Sequence, residues 1–544
     1  MSQHLDQGIA RVLGLRFCIT AFLALCLGIG SVASENDFSI SIAPPNPAYV
    51  KWVSEHTESA PRKAKRLLGT SDTVASGVNL VKYAVQGGLM PTKTDFSYLT
   101  NGTRRLLVRG GNDLPNKYDP RGSYTTPVRH QDPNNQGLGT CWAQATVGSM
   151  ESWLKKHDID VQFSVRNMVN HSGRFVPKKV EDWKQSAWSG ANFEVSSAYL
   201  LRWNGPVLEA EDPYVDVQTG LVRLNFTSPT LPAWGHLQRT CIIPVRKSAT
   251  DNDTLKRAIV EFGGLWVSML LCECNEETKN LIWNESHPGA FYYPKPDNPC
   301  HAVTVVGWDD NYPKENFGDT SKVGYAKPAG NGAFIVKDSY GNDRGRDNGY
   351  IYVSYYDALL STVESSYVVT GYEDWSNTRR IFQHDPFGYC GPININSAEI
   401  LALNVFKATE DTVVDSVGFF SDDVGCHYEV AICKGYQGTD FLSGYLEDTM
   451  TGGELESAGY MKITLPHSVT ITKGESFAVV VDIESKAGNL VTFAVEYPYA
   501  DFVPAAASAG ESYIALNGAW TDLVTKMPNF NFCIKAYGYV ENKQ

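Results

Sequence analysis

Past residue 32 the chain contains no apolar run of the roughly 20 residues that a membrane-spanning helix needs. A stable membrane span is therefore not expected in the body of the protein. Positive charge is in deficit too, with 47 Lys and Arg against 60 Asp and Glu and a net charge of −13 at pH 7. The surplus is spread along the chain, which argues against a nucleic-acid surface and implies only solubility. Long low-complexity tracts and internal repeats are missing. A composition of 43% hydrophobic, 12% aromatic and 20% charged residues is that of a folded protein. The cysteines lack the usual C-x2-4-C plus His spacing of a zinc site, the nearest patterns being Cys272-Glu-Cys274 and Cys426-x6-Cys433. No metal or cofactor is expected.

At 544 residues the chain predicts two to four domains. It opens with Arg11 and Arg16 ahead of an apolar run over 17–32, with small residues at Ser31, Ala33 and Ser34. A charged region, an apolar region and a cleavage site in that order read as a signal peptide over 1–34, hence a secreted or cell-surface protein. Of 11 cysteines, Cys18 and Cys26 leave with that signal and nine remain, an odd number that points to a free thiol. With Cys141 set aside, Cys241, Cys272, Cys274 and Cys300 precede residue 380, and Cys390, Cys426, Cys433 and Cys533 follow it. An oxidising compartment permits disulfides within each half, but no pairing is legible.

Residues 35–113 are rich in Pro, Ser and Lys, with a weak helical pattern at 49–68 and an apolar piece at 78–89. The segment reads as a pro-segment or N-terminal extension. Residues 114–370 hold the densest signals. A helix is predicted from Cys141 to about His157, because Trp142, Ala145, Ser149 and Trp153 recur at three- and four-residue steps. Strands are predicted at 301–308, 332–337 and 349–355, runs rich in β-branched and aromatic residues bounded by Gly, Asp or Pro. Helices early and strands late imply an α+β domain in which two sub-structures meet at a cleft. Over 371–544 the pattern changes to short alternating runs (401–406, 412–420, 428–432, 460–465, 476–483, 490–495 and 533–537). That predicts an all-β sandwich or jelly roll.

Three segments carry chemistry. In Gln136-Gly-Leu-Gly-Thr-Cys141-Trp142-Ala143 a thiol opens an amphipathic helix behind a glycine-rich loop. The helix dipole and unpaired amides favour a thiolate there, and loop amides can hold a developing oxyanion. In Cys300-His301-Ala302-Val303-Thr304-Val305-Val306-Gly307-Trp308 a histidine stands at the entry of an apolar strand. In Val336-Lys337-Asp338-Ser339-Tyr340-Gly341 a carboxylate follows another such strand, where it can accept an imidazole N–H and fix ring and tautomer.

These segments resemble the papain family of cysteine peptidases. The likeness rests on Thr126-Pro-Val-Arg-His-Gln131, Cys141-Trp142-Ala143, His301-Ala302-Val303 with Gly307-Trp308, and Lys337-x-Ser339-x-Gly341 followed by Asn348-Gly-Tyr350. It extends through Gly205-Pro206-Val207-Leu208, Asp212-Pro213-Tyr214, Asp309-Asp-Asn311 and Phe387-Gly388-Tyr389 to exported papain-type proteins with a C-terminal lectin-like domain. The resemblance implies a two-subdomain papain-like fold followed by an all-β lectin-like domain, and an endopeptidase acting on proteins or peptides. Cys141 would be nucleophile, His301 base, Asp338 its orienting partner and Gln131 the oxyanion glutamine. The C-terminal domain would bind a glycan or cell-surface ligand, with Tyr372, Trp375 and Trp520 as candidate stacking residues, though core or rim positions suit them as well.

The chain departs from the family at four places. Asp338 stands for Asn, Tyr340 for Trp, Gln144 for Phe, and Ala191 for a glycine that pairs with substrate backbone. A charged Asp338 is expected to raise the basicity of His301. Gln136, five residues before Cys141, is the rival of Gln131, ten before it. A catalytically impaired adhesin on the same scaffold is the alternative reading, and acyl transfer to an amine a further one.

Overall fold

The computed structural model describes residues 40–57, 88–100, 113–134, 137–172, 190–216, 218–222, 230–271, 284, 286–295, 298–318, 326–341, 347–498, 503, 505–516 and 519–541. The expected signal peptide, Gln136, Cys272, Cys274 and most of the 49–68 and 78–89 patterns lie outside them. In chain order the helices described before residue 371 are α1 (Pro47–Thr57), α2 (Cys141–Lys156), α3 (Val165–His171), α4 (Phe193–Leu201) and α5 (Asp253–Phe262), and a single turn at Leu523–Lys526 follows far downstream. The helix expected at Cys141 thus forms, ending with Lys155 and Lys156 in its last turn, where cations face the negative end of the dipole. Its apolar stripe is only part of what it buries. Gln144, Glu151 and Ser152 are inside too, while Trp153 is half-buried.

The half before residue 371 contains β1 (Gly235–Ile243), β2 (Leu265–Met269), β3 (His301–Asp309), β4 (Ala333–Lys337), β5 (Tyr350–Ser354) and the start of β6 (Ser366–Asp374). They pair antiparallel in the order β1-β6-β2-β3-β4-β5. Helices α2 and α5 both pack on β3, so that strand is buried at every position from His301 to Trp308 and reads as a continuous apolar run.

The C-terminal half is built almost wholly of strands: β7 (Arg379–Gln383), β8 (Gly391–Ile395), β9 (Glu399–Lys407), β10 (Thr412–Ser421), β11 (His427–Lys434), β12 (Gly459–Ile471), β13 (Ser476–Glu484), β14 (Thr492–Glu496), β15 (Ser512–Leu516) and β16 (Ile534–Tyr539). Strands β7-β16-β10-β12 continue that first sheet to twelve strands, joined to β1 by the pair Met461 and Arg239. A six-stranded sheet contains β11-β13-β9-β15, and a four-stranded one runs Ile40–Ile42, β8, β14 and Asn531–Phe532. Val417, Phe419, Ile534 and Ala536 of the long sheet meet Phe406, Ile432, Val479 and Val481 of the six-stranded one in a common core. This is a sandwich of the expected kind. Its N-terminal strand comes from the 35–113 segment, and β6 runs straight through residues 370–371.

Cys390, Cys426, Cys433 and Cys533 are all buried thiols. The disulfides that an oxidising compartment permits in this half are therefore not formed; the four act as small apolar core residues. In the half before residue 371 Cys300 is disulfide-bonded. Tyr372 and Trp520 prove half-buried: Tyr372 stacks on Trp234 at 4.4 Å, and Trp520 meets Phe441 edge-on at 5.6 Å. Trp375 is exposed. Among the described residues no helix is long and apolar enough to cross a membrane.

Candidate active site

Cys141 opens α2, where the helix dipole and unpaired amides favour an anion. The loop ahead of it is fixed by Tyr214, whose hydroxyl donates to the Gln131 carbonyl at 2.7 Å and lies 2.9 Å from the Thr140 hydroxyl. His301 is the first residue of β3, and Asp338 follows the last residue of β4. Because β3 and β4 are antiparallel with Thr304 opposite Lys337, the end of one strand lies beside the start of the other. His301 Nε2 is consequently 2.9 Å from Asp338 Oδ1, which also accepts the Ser339 N–H at 2.7 Å. Burial works against a charged imidazole. The hydrogen bond to Asp338, then the hydrogen bond and charge of Cys141, outweigh it and push His301 up to about 9.

Gln131 joins this group through a second antiparallel contact. Residues 129–131 run beside 339–341: Gln131 N–H donates to the Ser339 carbonyl at 2.6 Å, and Gly341 N–H to the Arg129 carbonyl at 3.0 Å. The Gln131 side chain is fully buried and held at both ends. Ser339 Oγ donates to its Oε1 at 2.7 Å, while Nε2 donates to the Leu138 carbonyl at 2.8 Å and to the Tyr340 hydroxyl at 3.2 Å. The ring of Tyr340 stacks on His301, centroids 5.4 Å apart at 29°. The four residues expected from sequence (Cys141, His301, Asp338 and Gln131) are thus brought into one cluster. Behind it, Arg129 pairs with fully buried Glu151 of α2 at 2.5 Å, tying the Gln131 segment to the helix that Cys141 opens.

Part of the 35–113 segment, expected to be a pro-segment or N-terminal extension, lies against this cluster. Met90 N–H donates to the Ala191 carbonyl at 3.0 Å, Ala191 N–H donates to the Gly88 carbonyl at 3.2 Å, and Leu89 N–H donates to the carbonyl of Cys300 at 3.2 Å. Residues 88–94 therefore form a strap that runs parallel to residue 191 and lies beside both the loop before Cys141 and Cys300. A Cβ on Gly88 would collide with the backbone of Gly139, two residues before Cys141. Further along, the strap rests on two buried carboxyls. Glu364 Oε1 accepts the Thr92 N–H at 2.9 Å, and Glu194 accepts a backbone hydrogen bond from Lys93. Burial raises Glu194 to about 8 against the pull of Lys93, and raises Glu364 to about 7. Nothing local in the sequence marks Glu364, but Glu194 lies three residues after Ala191, a position already singled out.

Residues 114–370 match the papain family of cysteine proteases, and residues 381–538 match a lectin-like domain. A cathepsin L-like proteinase of Fasciola hepatica is 32% identical over 114 residues, 21% of this chain and 31% of that protein. Cathepsin K of Mus musculus is 25% identical over 243 residues, 44% of this chain and 59% of that protein. The chain thus spans less than two thirds of the length of these curated relatives. Among solved structures, the cysteine protease and lectin-like domains of Cwp84, a surface layer associated protein of Clostridium difficile, superpose with a TM-score of 0.71 at 24% identity, covering 93% of this chain and 100% of that one. Clostridial Cwp84 after propeptide cleavage gives 0.65 at 26% identity, covering 78% and 99%. Over residues 114–370 the chain is thus similar to papain family cysteine proteases, and over residues 381–538 to a lectin-like domain.

Proposed function

We propose that the protein is an exported cysteine endopeptidase, held inactive by its own N-terminal strap until residues 35–113 are removed. The observation that carries this reading is the His301–Asp338 hydrogen bond of 2.9 Å on the same imidazole that Cys141 charges and hydrogen-bonds. The Cys141 thiolate attacks the scissile carbonyl carbon, forming a C–S bond and a tetrahedral oxyanion. The Cys141 N–H and the Gln131 amide stabilise that oxyanion. Imidazolium His301 passes its proton to the leaving amine as the C–N bond breaks. Water, deprotonated by His301, then cleaves the acyl-enzyme and regenerates the thiol. Asp338 fixes the ring and stabilises its charged form.

The pro-segment reading is supported by the strap's hydrogen bonds to Ala191, the position where the resemblance implies pairing with substrate backbone, and to Cys300 beside His301. Export is supported by the apolar N-terminal run and by likeness to a surface layer associated protein. A glycan or cell-surface ligand for the C-terminal domain rests on its lectin-like match alone. Intact-mass analysis after exposure to an epoxysuccinyl thiol probe near neutral pH tests the peptidase reading. Stoichiometric labelling of the wild type that vanishes in Cys141→Ala is expected. No labelling of either wild type or Asp338→Asn after strap removal leaves a binding protein on a peptidase scaffold.

A further inference from the structure

We infer that Tyr340 is a positioning residue for the oxyanion glutamine, a role its hydroxyl supplies and the tryptophan it replaces could not supply in the same way. The inference rests on the peptidase reading above and deepens it. Tyr340 touches both halves of the machinery: its ring lies on the His301 imidazole, and its hydroxyl oxygen accepts a proton of Gln131 Nε2 at 3.2 Å. Gln131 cannot take its amide orientation from solvent, because the residue is fully buried. Its Oε1 is fixed by Ser339 Oγ at 2.7 Å, which sets which end of the amide carries the donors. One Nε2 proton is committed to the Leu138 carbonyl at 2.8 Å. The other goes to Tyr340, and at 3.2 Å this is the longer and weaker of the two bonds. That second proton is the one available to an oxyanion, a stronger acceptor than a neutral phenol.

In the resting site Tyr340 therefore satisfies a buried donor that would otherwise be left unpaired. During acylation it yields that donor to the oxyanion without any rotation of the amide. The Gln131 N–H is pre-aimed, so little reorganisation is needed when charge develops. The position is fixed by backbone as well as side chain, since His130 and Tyr340 form an antiparallel bridge between the two segments.

The test compares Tyr340→Phe and Tyr340→Trp in the full chain, each with Gln131 intact and with Gln131→Ala, after incubation under reducing conditions and at equal extents of strap cleavage. Three probes divide the steps. A dipyridyl disulfide reports the thiolate and forms no oxyanion, a peptide aldehyde forms a hemithioacetal whose oxygen occupies the oxyanion site, and labelled casein reports turnover. With Gln131 intact, Tyr340→Phe is expected to leave the disulfide rate within about twofold while weakening aldehyde binding and lowering kcat by about tenfold, with KM little changed. With Gln131→Ala already present, the same change is expected to add less than about twofold, because the group being positioned is gone. Effects of the two substitutions that simply multiply would overturn the inference, as would full activity in Tyr340→Trp. A wild type that neither reacts with the disulfide nor cleaves casein instead removes the peptidase reading itself, and Cys141→Ala that still cleaves casein does the same.

Discussion

His301 Nε2 and Asp338 Oδ1 lie 2.9 Å apart, both in residues buried to 2% exposure or less. A carboxylate here holds the imidazolium more firmly than a neutral amide would. The folded-state value of His301 is raised to about 9 from its ordinary 6.5. Its stabilising contribution is complete below the unfolded value and fades as pH rises through about 9. Activity that depends on the imidazolium should therefore persist to about pH 9. Asp338→Asn is expected to move the alkaline limb of kcat/KM to lower pH, measured as a pH–rate profile on labelled casein. An unmoved limb would show that Asp338 does not set the charge of the ring.

Gly88 sits against Gly139 with φ +87, a conformation and a clearance that suit glycine only. Gly88→Ala is expected to unseat the strap. Cys141 in the uncleaved chain should then react with dipyridyl disulfide at least about tenfold faster than in the wild type, since a left-handed non-glycine residue alone costs about 1–2 kcal/mol. Equal rates would mean that the strap does not guard the thiol.

The strap's grip should depend on pH through Glu194 and Glu364. Both carboxyls are raised by burial, to about 8 and about 7, and this outweighs the hydrogen bonds they accept from Lys93 and Thr92 of the strap. A group raised in the bound state favours that state while protonated and opposes it once ionised. Retention of the strap is thus expected to be tight near pH 6 and to loosen as pH rises through 7 and 8. Cutting at a protease site installed after Asp113 and following strap dissociation by native mass spectrometry would measure this. The double variant Glu194→Gln with Glu364→Gln should flatten the profile, and a profile that tightens with pH would refute the assignment.

Arg129 and Glu151 form a buried pair that also engages the Phe163 N–H at 2.8 Å. Arg129→Ala strands a fully buried carboxylate and is expected to cost about 3–5 kcal/mol in urea unfolding. Arg129→Met combined with Glu151→Leu should cost less than Arg129→Ala alone, because no buried carboxylate is then left without its guanidinium. If the double change costs more, the pair contributes more than mutual neutralisation.

Cys141, His301 and Asp338 were legible because each stands where a local pattern changes: a thiol at the start of a 3.6-period stripe, a histidine opening an apolar strand, a carboxylate closing one. Likewise seven strands from residue 399 onward followed from alternation and turn residues, with their ends displaced, whereas Thr451–Glu454, Ser512–Leu516 and Ala519–Asp522 carried too short a pattern to be read. The period of side chains along a helix or strand is a property of a dozen consecutive residues, and that determines element type and which residues stand at element ends. The choice of Gln131 as a member of the cluster, the Tyr340 hydroxyl on its amide and the Ser339 hydroxyl on its oxygen depend on contacts across 208 and 209 positions of sequence. The strap is a similar case, with Thr92 reaching Glu364 across 272 residues. Such contacts follow from which strands and loops pair in register, and only the closed sheet and the packed cleft decide that. By itself the sequence determined the candidate reactive groups and the elements that carry them; the tertiary structure decided which backbone and side-chain partners hold them, and that residues 88–90 pair with Ala191 and Cys300.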